Sequence, residues 1–136
     1  MSMIIDSSIT LAWLYSDEIT EAVDQVFGRV TTDRAWVPTL WRLEVANGLQ
    51  TAVRRGRIEI AFRDAALADL ALLNIVSDTD TDAFAWSTTL HLAERCRLTL
   101  YDAAYLELAQ RRALPLATLD QEMRAAAIRL GVPLLP

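Results

Sequence analysis

The sequence predicts an α/β fold in which helices cover both faces of a parallel sheet and contribute more residues than the strands. Short apolar runs of strand-forming residues alternate with longer segments whose apolar residues recur with helical spacing. Hydrophobic residues make up 53% of the 136 residues, which is enough for a packed core without disulfides. Because the alternation runs along the whole chain without a repeat or a linker, we predict a single domain over residues 1–136.

The first half of the chain alternates strand and helix and then forms a helical hairpin. Asp6, Ser7 and Ser8 follow the first apolar run, and these residue types favour a helix start. Pro38 stops the second strand, and Gly56, among arginines, ends a long helix. The predicted elements are strand 3–5, helices 9–15 and 18–29, strand 35–37, hairpin helices 40–55 and 59–72, and strand 74–77.

The second half returns to the same alternation. Asp78, Asp80 and Asp82 lead into a helix that ends near Cys96. These acids lack the Gly and the closing Glu of an EF-hand loop, so we predict a solvated helix start. The remaining predicted elements are helix 100–111, strand 115–118, helix 121–130 and an edge strand at 132–135 that would be the fifth of the sheet.

Charge and the scarcity of histidine and cysteine restrict the chemistry. The net charge is −5 and all 13 basic residues are Arg, which argues against tight nonspecific binding to nucleic acid. His91 and Cys96 are the only residues of their types, so neither a zinc cluster nor an internal disulfide is expected, and a reducing cytoplasm suits the chain. A metal site here would use carboxylates, which bind hard ions such as Mg²⁺ or Mn²⁺. No apolar run approaches the ~20 residues that cross a membrane.

Four acids occupy positions where a parallel sheet of this kind binds ligands. Asp6 ends the first strand and Asp120 follows the fourth, so both would project over one edge if these strands are neighbours. Asp102 begins a helix among apolar neighbours, and Glu44 interrupts an otherwise apolar helix one turn before Asn47. Four carboxylates at one site would repel each other unless a cation neutralised them, which is the logic of a magnesium or manganese centre.

Each acid also has a purely structural interpretation. Asp120 is a good N-cap for the last helix, and Thr99 with Asp102 has the shape of a capping box. Asp6 could be a turn residue at the end of a strand, with Ser7 or Ser8 capping the next helix, and Glu44 could belong to a solvated helix face. Position alone therefore leaves both interpretations open.

The order of the acids along the chain resembles the PIN domain family. The segments that carry the resemblance are Ile4-Ile5-Asp6-Ser7-Ser8, Leu43-Glu44-Val45-Ala46-Asn47, Tyr101-Asp102-Ala103-Ala104-Tyr105 and Thr118-Leu119-Asp120. Each segment is a weak motif by itself, but all four occur in the family's order in a compact chain. The resemblance implies a three-layer α/β/α sandwich with a central parallel sheet of four or five short strands and a protruding helical hairpin.

The resemblance also implies a function and a set of roles. The compact size and the Asp-Ala-Ala-Tyr segment are most similar to the VapC-type toxins of bacterial toxin–antitoxin pairs, which implies a Mg²⁺- or Mn²⁺-dependent endoribonuclease. Asp6, Asp102 and Asp120 would hold the metal, and Glu44 would bind it or orient the attacking water. Ser7, Asn47 and Thr118 are expected to support these carboxylates. Arg54, Arg55 and Arg57 are expected to contact RNA phosphate, with Arg111 and Arg112 as a second choice.

The same resemblance predicts protein partners. We expect a homodimer and a small cognate antitoxin that packs against the helical hairpin, where Trp41, Leu49 and Val53 would present an apolar surface. Two other classes of protein are alternatives to the nuclease. A phospho-acceptor signalling domain also carries acids at strand ends, but it needs a Lys that this chain lacks. A PIN-like module without catalysis, which only binds RNA or a protein, is the second, and the presence of all four acids argues against it.

Overall fold

A four-stranded parallel sheet forms the centre of the computed structural model, which describes residues 1–136. The strands are β1 (Met3–Ile5), β2 (Ala35–Pro38), β3 (Ile75–Asp78) and β4 (Leu116–Ala117), in the order β3-β2-β1-β4. Met3, Ile4 and Ile5 are all 0% exposed. Because successive strand residues point to opposite faces, this burial means that both faces of the sheet are covered. The predicted α/β sandwich is confirmed.

The helices match the predicted segments to within a few residues, with one exception. They are α1 (Ser7–Leu14), α2 (Glu21–Val30), α3 (Trp41–Arg54), α4 (Ile60–Ala71), α5 (Thr81–Phe84), α6 (Leu90–Cys96), α7 (Leu100–Arg112) and α8 (Gln121–Leu130). None of them combines the length and the apolar composition that a membrane crossing requires. A π-helical turn (Ala85–Thr89) separates α5 from α6, where we predicted one continuous helix. Five residues are too few for the wider turn to change the apolar pattern visibly.

The strand order brings the first and the last strand together. From β1 the chain moves outward on one side to β2 and β3, and then returns to add β4 on the other side. Ile5 pairs with Ala117, so the residues that follow, Asp6 and Thr118, leave the sheet side by side. This reversal of strand order is where open α/β sheets bind ligands. The predicted fifth strand is reduced to a single bridge between Leu116 and Leu134.

The acid that ends β3 contradicts its predicted environment. Asp78 was expected at a solvated helix start, but it is 0% exposed. Arg111 donates to it from Nη1 at 3.1 Å and from Nη2 at 2.6 Å, and Arg112 donates at 3.0 Å. Arg111 also binds Glu107 one turn earlier at 2.7 Å. The prediction was wrong because the cations that allow burial of Asp78 lie more than thirty residues away in the sequence.

The helical hairpin of α3 and α4 also differs from expectation in what it displays. Leu49 is 0% exposed and Trp41 6% exposed, because this face of α3 packs into the core and the Trp41 indole N–H donates to Thr10 Oγ1 at 3.1 Å. Leu49 therefore cannot present a surface to a partner. The apolar feature that the hairpin offers is a groove of about 370 Å³ between the two helices, bordered by Val45, Leu67 and the predicted Trp41 among others.

Candidate active site at the carboxyl edge of the sheet

Asp6 is the most enclosed of the four acids. It ends β1 and caps α1, where its Oδ1 accepts from the Ile9 backbone N–H at 3.0 Å. The Ser8 hydroxyl lies 2.7 and 2.9 Å from its two oxygens, and Thr118 donates to Oδ2. Burial raises the pKa of the Asp6 carboxyl to about 6. The hydrogen bonds oppose this shift in pKa, and the neighbouring charge of Asp120 adds to it.

Thr118 links the two central strand ends. It is fully buried directly after β4, and its hydroxyl both donates to Asp6 and accepts from the backbone N–H of Asp120 at 3.0 Å. Ser8 makes a parallel connection, because its Oγ accepts from the Leu119 N–H at 3.1 Å. The hydroxyls of Thr118 and Ser8 therefore fix the position of the Asp6 carboxylate relative to the backbone at Leu119 and Asp120.

Asp120 and Asp102 stand at the beginnings of two further helices. Asp120 caps α8 by accepting from the Met123 N–H at 2.8 Å. Asp102 lies in the first turn of α7, and its backbone N–H donates to Thr99 Oγ1 at 3.1 Å. Burial is the largest cause that raises the pKa of the Asp102 carboxyl, and the charge of Asp120 raises it further. The two carboxylates are thus close enough to repel each other.

Glu44 completes the group from the first turn of α3. Its Oε1 accepts from the Tyr105 hydroxyl at 2.5 Å, and Tyr105 is 1% exposed. Burial raises the pKa of the Glu44 carboxyl, and the charge of Asp102 adds to that effect. The hydrogen bond from Tyr105 and the nearby Ser7 hydroxyl lower the pKa of Glu44 and so oppose these effects. Glu44 therefore belongs to the same electrostatic group as the three aspartates.

All four acids lie at helix starts, which gives a physical reason for their proximity. Each helix N-terminus carries a partial positive charge and unpaired N–H groups, and both stabilise a carboxylate. Four helices begin at the carboxyl edge of the sheet, and each brings one of the acids there. No Arg side chain donates a hydrogen bond to any of the four carboxylates. Asp6 and Asp120 are therefore helix caps and members of this group of acids at once, so the cap role does not separate them from the other two acids.

The chemistry of this group fits a hard divalent cation, although no ready-made metal site is present. No three Asp, Glu, His or Cys side chains are arranged as a preformed ligand cluster. All donors here are carboxylate and hydroxyl oxygens, the ligands that Mg²⁺ and Mn²⁺ prefer. Burial is the main cause that raises the pKa of Asp6, Asp102 and Glu44, and the charge of a neighbouring acid adds to it in each case; a bound cation would offset both effects.

The predicted supporting residues are placed unevenly. Thr118 contacts Asp6 directly, whereas Ser7 is near enough to Glu44 to affect its pKa, and Asn47 is exposed without a side-chain hydrogen bond. Sequence reasoning did not select Ser8 or Tyr105 as site residues. Tyr105 follows Asp102 by three positions, a spacing that puts both on one face of α7, so helical geometry was the available signal.

The arginines are arranged differently from the prediction. Arg54 and Arg55 are exposed, but Arg57 is engaged with Asp17 at 3.5 Å and Glu18 at 3.3 Å. Arg111 and Arg112 are committed to the buried Asp78. Arg124, which the sequence did not single out, donates from Nη1 to the Thr118 carbonyl at 2.9 Å. It is the arginine whose hydrogen bonds reach the site.

Solved structures with the same fold include proteins from three organisms. PAE2754 from Pyrobaculum aerophilum superposes with a TM-score of 0.69 at 24% identity, covering 93% of this chain and 79% of that one. A toxin–antitoxin complex from Klebsiella pneumoniae gives a TM-score of 0.60 at 18% identity, covering 90% of this chain and 90% of that one. VapBC2 from Rickettsia felis, bound to a DNA fragment from its promoter, gives a TM-score of 0.64 at 11% identity, covering 98% of this chain and 97% of that one.

At the level of sequence, the family that matches is the PIN domain, over residues 3–129. The matched span contains all four acids together with Thr118 and Tyr105. No curated protein matches the chain.

Proposed function

The chain belongs to the PIN domain family, and from this premise we propose that it is a metal-dependent endoribonuclease, the toxin of a toxin–antitoxin pair. PIN domains are generally nucleases. The observation that carries the proposal is the convergence of Asp6, Asp102, Asp120 and Glu44 at the carboxyl edge of the sheet, where the charge of one acid raises the pKa of the next. Two of the structural neighbours are toxin–antitoxin complexes, which supports the biological role.

Asp6, Asp102 and Asp120 are the proposed ligands of Mg²⁺ or Mn²⁺. When bound, the ion would supply a water of lowered pKa and a positive charge opposite the scissile phosphate. Because no preformed ligand cluster exists, we propose that side-chain rotation and water molecules complete the coordination shell.

The protein's own residues hold these carboxylates in place. Thr118 and Ser8 fix the orientation of Asp6 through its two oxygens. With a pKa of about 6, Asp6 is mostly ionised at neutral pH and is available as a ligand. Tyr105 holds Glu44 at 2.5 Å, so Glu44 is positioned to orient a water or to accept its proton. Arg124 is the best-placed cation for the RNA backbone, since its guanidinium already lies against the Thr118 carbonyl.

Expression in a bacterium tests the function directly. We expect the wild type to stop growth and to create new RNA ends, and we expect Asp6→Asn, Asp102→Asn and Asp120→Asn each to relieve both effects. Asp80→Asn is the matched control, because Asp80 is exposed and outside the site. Equal toxicity of the three variants would contradict the catalytic assignment of these acids. Folded wild-type protein that leaves RNA intact with manganese present would assign the chain to the catalytically silent class.

We further propose that a small antitoxin binds the groove between α3 and α4, and that the chain, a single domain, acts as a homodimer in the cytoplasm. Val45 and Leu67 give the groove its apolar lining. Leu67→Arg should therefore abolish capture by the antitoxin encoded beside this chain, while Leu72→Arg, at an 85% exposed position outside the groove, should not. Light scattering at micromolar concentration tests the dimer. Equal capture of both variants would rule out the groove as the antitoxin site.

A further inference from the structure

A second cavity lies beside the carboxylates and is not explained by them. It has a volume of about 330 Å³, within the range of small-ligand sites. Leu43 and Tyr101 form part of its wall, and they are the chain neighbours of Glu44 and Asp102. The cavity therefore borders the proposed cleavage centre on two helices, α3 and α7.

The mouth of the cavity exposes apolar surface that the protein itself does not cover. Leu43 is 76% exposed and Tyr101 63% exposed. Neither side chain is needed to close the core, since both lie outside the buried cluster. An exposed aromatic ring beside a phosphodiester centre is the type of platform on which an unstacked nucleobase binds.

Two polar groups in the wall lack partners. Thr89, which ends the π-helical turn, is 2% exposed, and its Oγ1 has no hydrogen-bond partner. Buried hydroxyls are nearly always paired, so this one indicates a missing partner. Asp82 also lines the cavity, and its exposed carboxylate makes neither a hydrogen bond nor a salt bridge within the chain. π-helical turns are rare and occur frequently at functional sites.

We propose that this cavity binds one unpaired RNA base that carries an amino group, next to the phosphodiester to be cut; the inference rests on the proposed ribonuclease function. Tyr101 would stack on the base, and the Asp82 carboxylate, which can only accept, would bind the amino hydrogens of guanine, adenine or cytosine. Uracil has no amino group: its one donor on this edge, the N3–H, lies between two carbonyl oxygens, and a carboxylate that accepts from it is repelled by both. Thr89 would complete the polar contacts from the wall.

Binding of short RNAs tests the inference separately from cleavage. The probes are a fluorescent eight-nucleotide uridine RNA and three RNAs in which one central uridine is replaced by guanosine, adenosine or cytidine. Measurements use the Asp6→Asn protein, which cannot cut if the proposed function is right. We expect an amino base to bind at least about fivefold more tightly than uridine. Tyr101→Ala should weaken binding of that RNA by about five- to 150-fold.

Matched variants identify the groups responsible. Asp82→Asn should remove the preference over uridine, whereas Asp80→Asn should keep it, because Asp80 does not line the cavity. Trp86→Ala should leave binding unchanged, although Trp86 is 91% exposed, since it too lies outside the lining. Equal effects of Tyr101→Ala and Trp86→Ala, or no base preference in the parent protein, would overturn the inference.

Two further outcomes separate this inference from the proposed function. If the wild type cuts RNA but Tyr101→Ala changes neither binding nor the position of the cuts, the base pocket is wrong and the nuclease stands. If the RNAs bind with the expected base preference but the wild type never cuts, the pocket stands and the nuclease is wrong. Should Tyr101→Ala instead convert a dimer to a monomer in light scattering, the surface is a contact between two copies, and the base pocket is overturned.

Discussion

The site at the carboxyl edge and the cluster around Asp78 each contain a buried aspartate, but the pKa values of the two carboxyls are shifted in opposite directions. Asp6 is 2% exposed and Asp78 0% exposed, so both carboxylates are removed from water. Burial raises the pKa of Asp6 to about 6, and no cation opposes it. Burial would also raise the pKa of Asp78, but hydrogen bonds and charges from Arg111 and Arg112 outweigh it and lower the value. The partner, and not the depth, decides in which direction the pKa of a buried acid is shifted.

The largest difference should appear when the structural acid is removed. Asp78→Ala leaves Arg112 without its counterion and Arg111 with Glu107 alone, so we expect a loss of up to roughly 3–5 kcal/mol of unfolding free energy. Urea unfolding followed by circular dichroism measures it, with Asp80→Ala as the exposed control. A loss below about 1 kcal/mol would mean that the cluster contributes little to stability.

Metal ions should stabilise the protein through the site at the carboxyl edge and not through the cluster around Asp78. Mg²⁺ or Mn²⁺ at about 100 times its dissociation constant should stabilise the wild type by roughly 2.7 kcal/mol, because the unfolded chain has no site. Asp102→Asn removes one repelling charge and one ligand, so it should melt at or above the wild type without metal and respond much less to metal. Thermal melts with and without manganese test this. If Asp102 only caps α7, the variant keeps the full metal response.

The pH dependence of stability should have two phases with opposite signs. The native pKa of Asp6, about 6, lies above its ordinary value of 3.8, so the folded state binds more protons between these values. Acidifying the metal-free protein from pH 7 to about 4 should therefore add on the order of 2 kcal/mol. The pKa of Asp78 is lowered, so its contribution is lost as the pH falls below about 4. Asp6→Asn should remove the first phase and leave the second; a rise that persists in this variant would assign the phase to another group.

The smallest of these effects concerns the residue that positions Glu44. Tyr105→Phe removes one hydroxyl from a buried ring, and the loss of a supporting contact of this kind costs about 10-fold in cleavage rate. If Tyr105 positions Glu44, the pH profile of cleavage should shift together with the rate, which a merely structural role would not produce. An unchanged pH profile would leave Tyr105 with packing alone.

Local signals in the sequence predicted the elements that depend on neighbours along the chain. Strand Met3–Ile5 and helix Gln121–Leu130 were predicted with their observed bounds, because an apolar run and a strong cap define each of them. The grouping of the acids required strand order as well, which the motif order of the family supplied. The predicted membership of the PIN domain family is confirmed.

Features that depend on distant partners could not be predicted in the same way. Asp78 looked like a solvated acid because Arg111 lies 33 positions away. Arg57 looked free because its acidic partners, Asp17 and Glu18, belong to another segment. The bond between Tyr105 and Glu44 joins two helices separated by 61 positions, so the sequence showed both residues without showing their contact.

The dual use of Asp6 and Asp120 as helix caps has a genetic consequence. Asn is as good an N-cap as Asp, and one base change converts an Asp codon to an Asn codon. A single transition at either position can therefore remove the proposed chemistry while the helix start is kept. Clones that survive expression of this chain should accordingly include full-length, well-folded proteins, with Asn at position 6 or 120 as a recurrent escape route beside truncations.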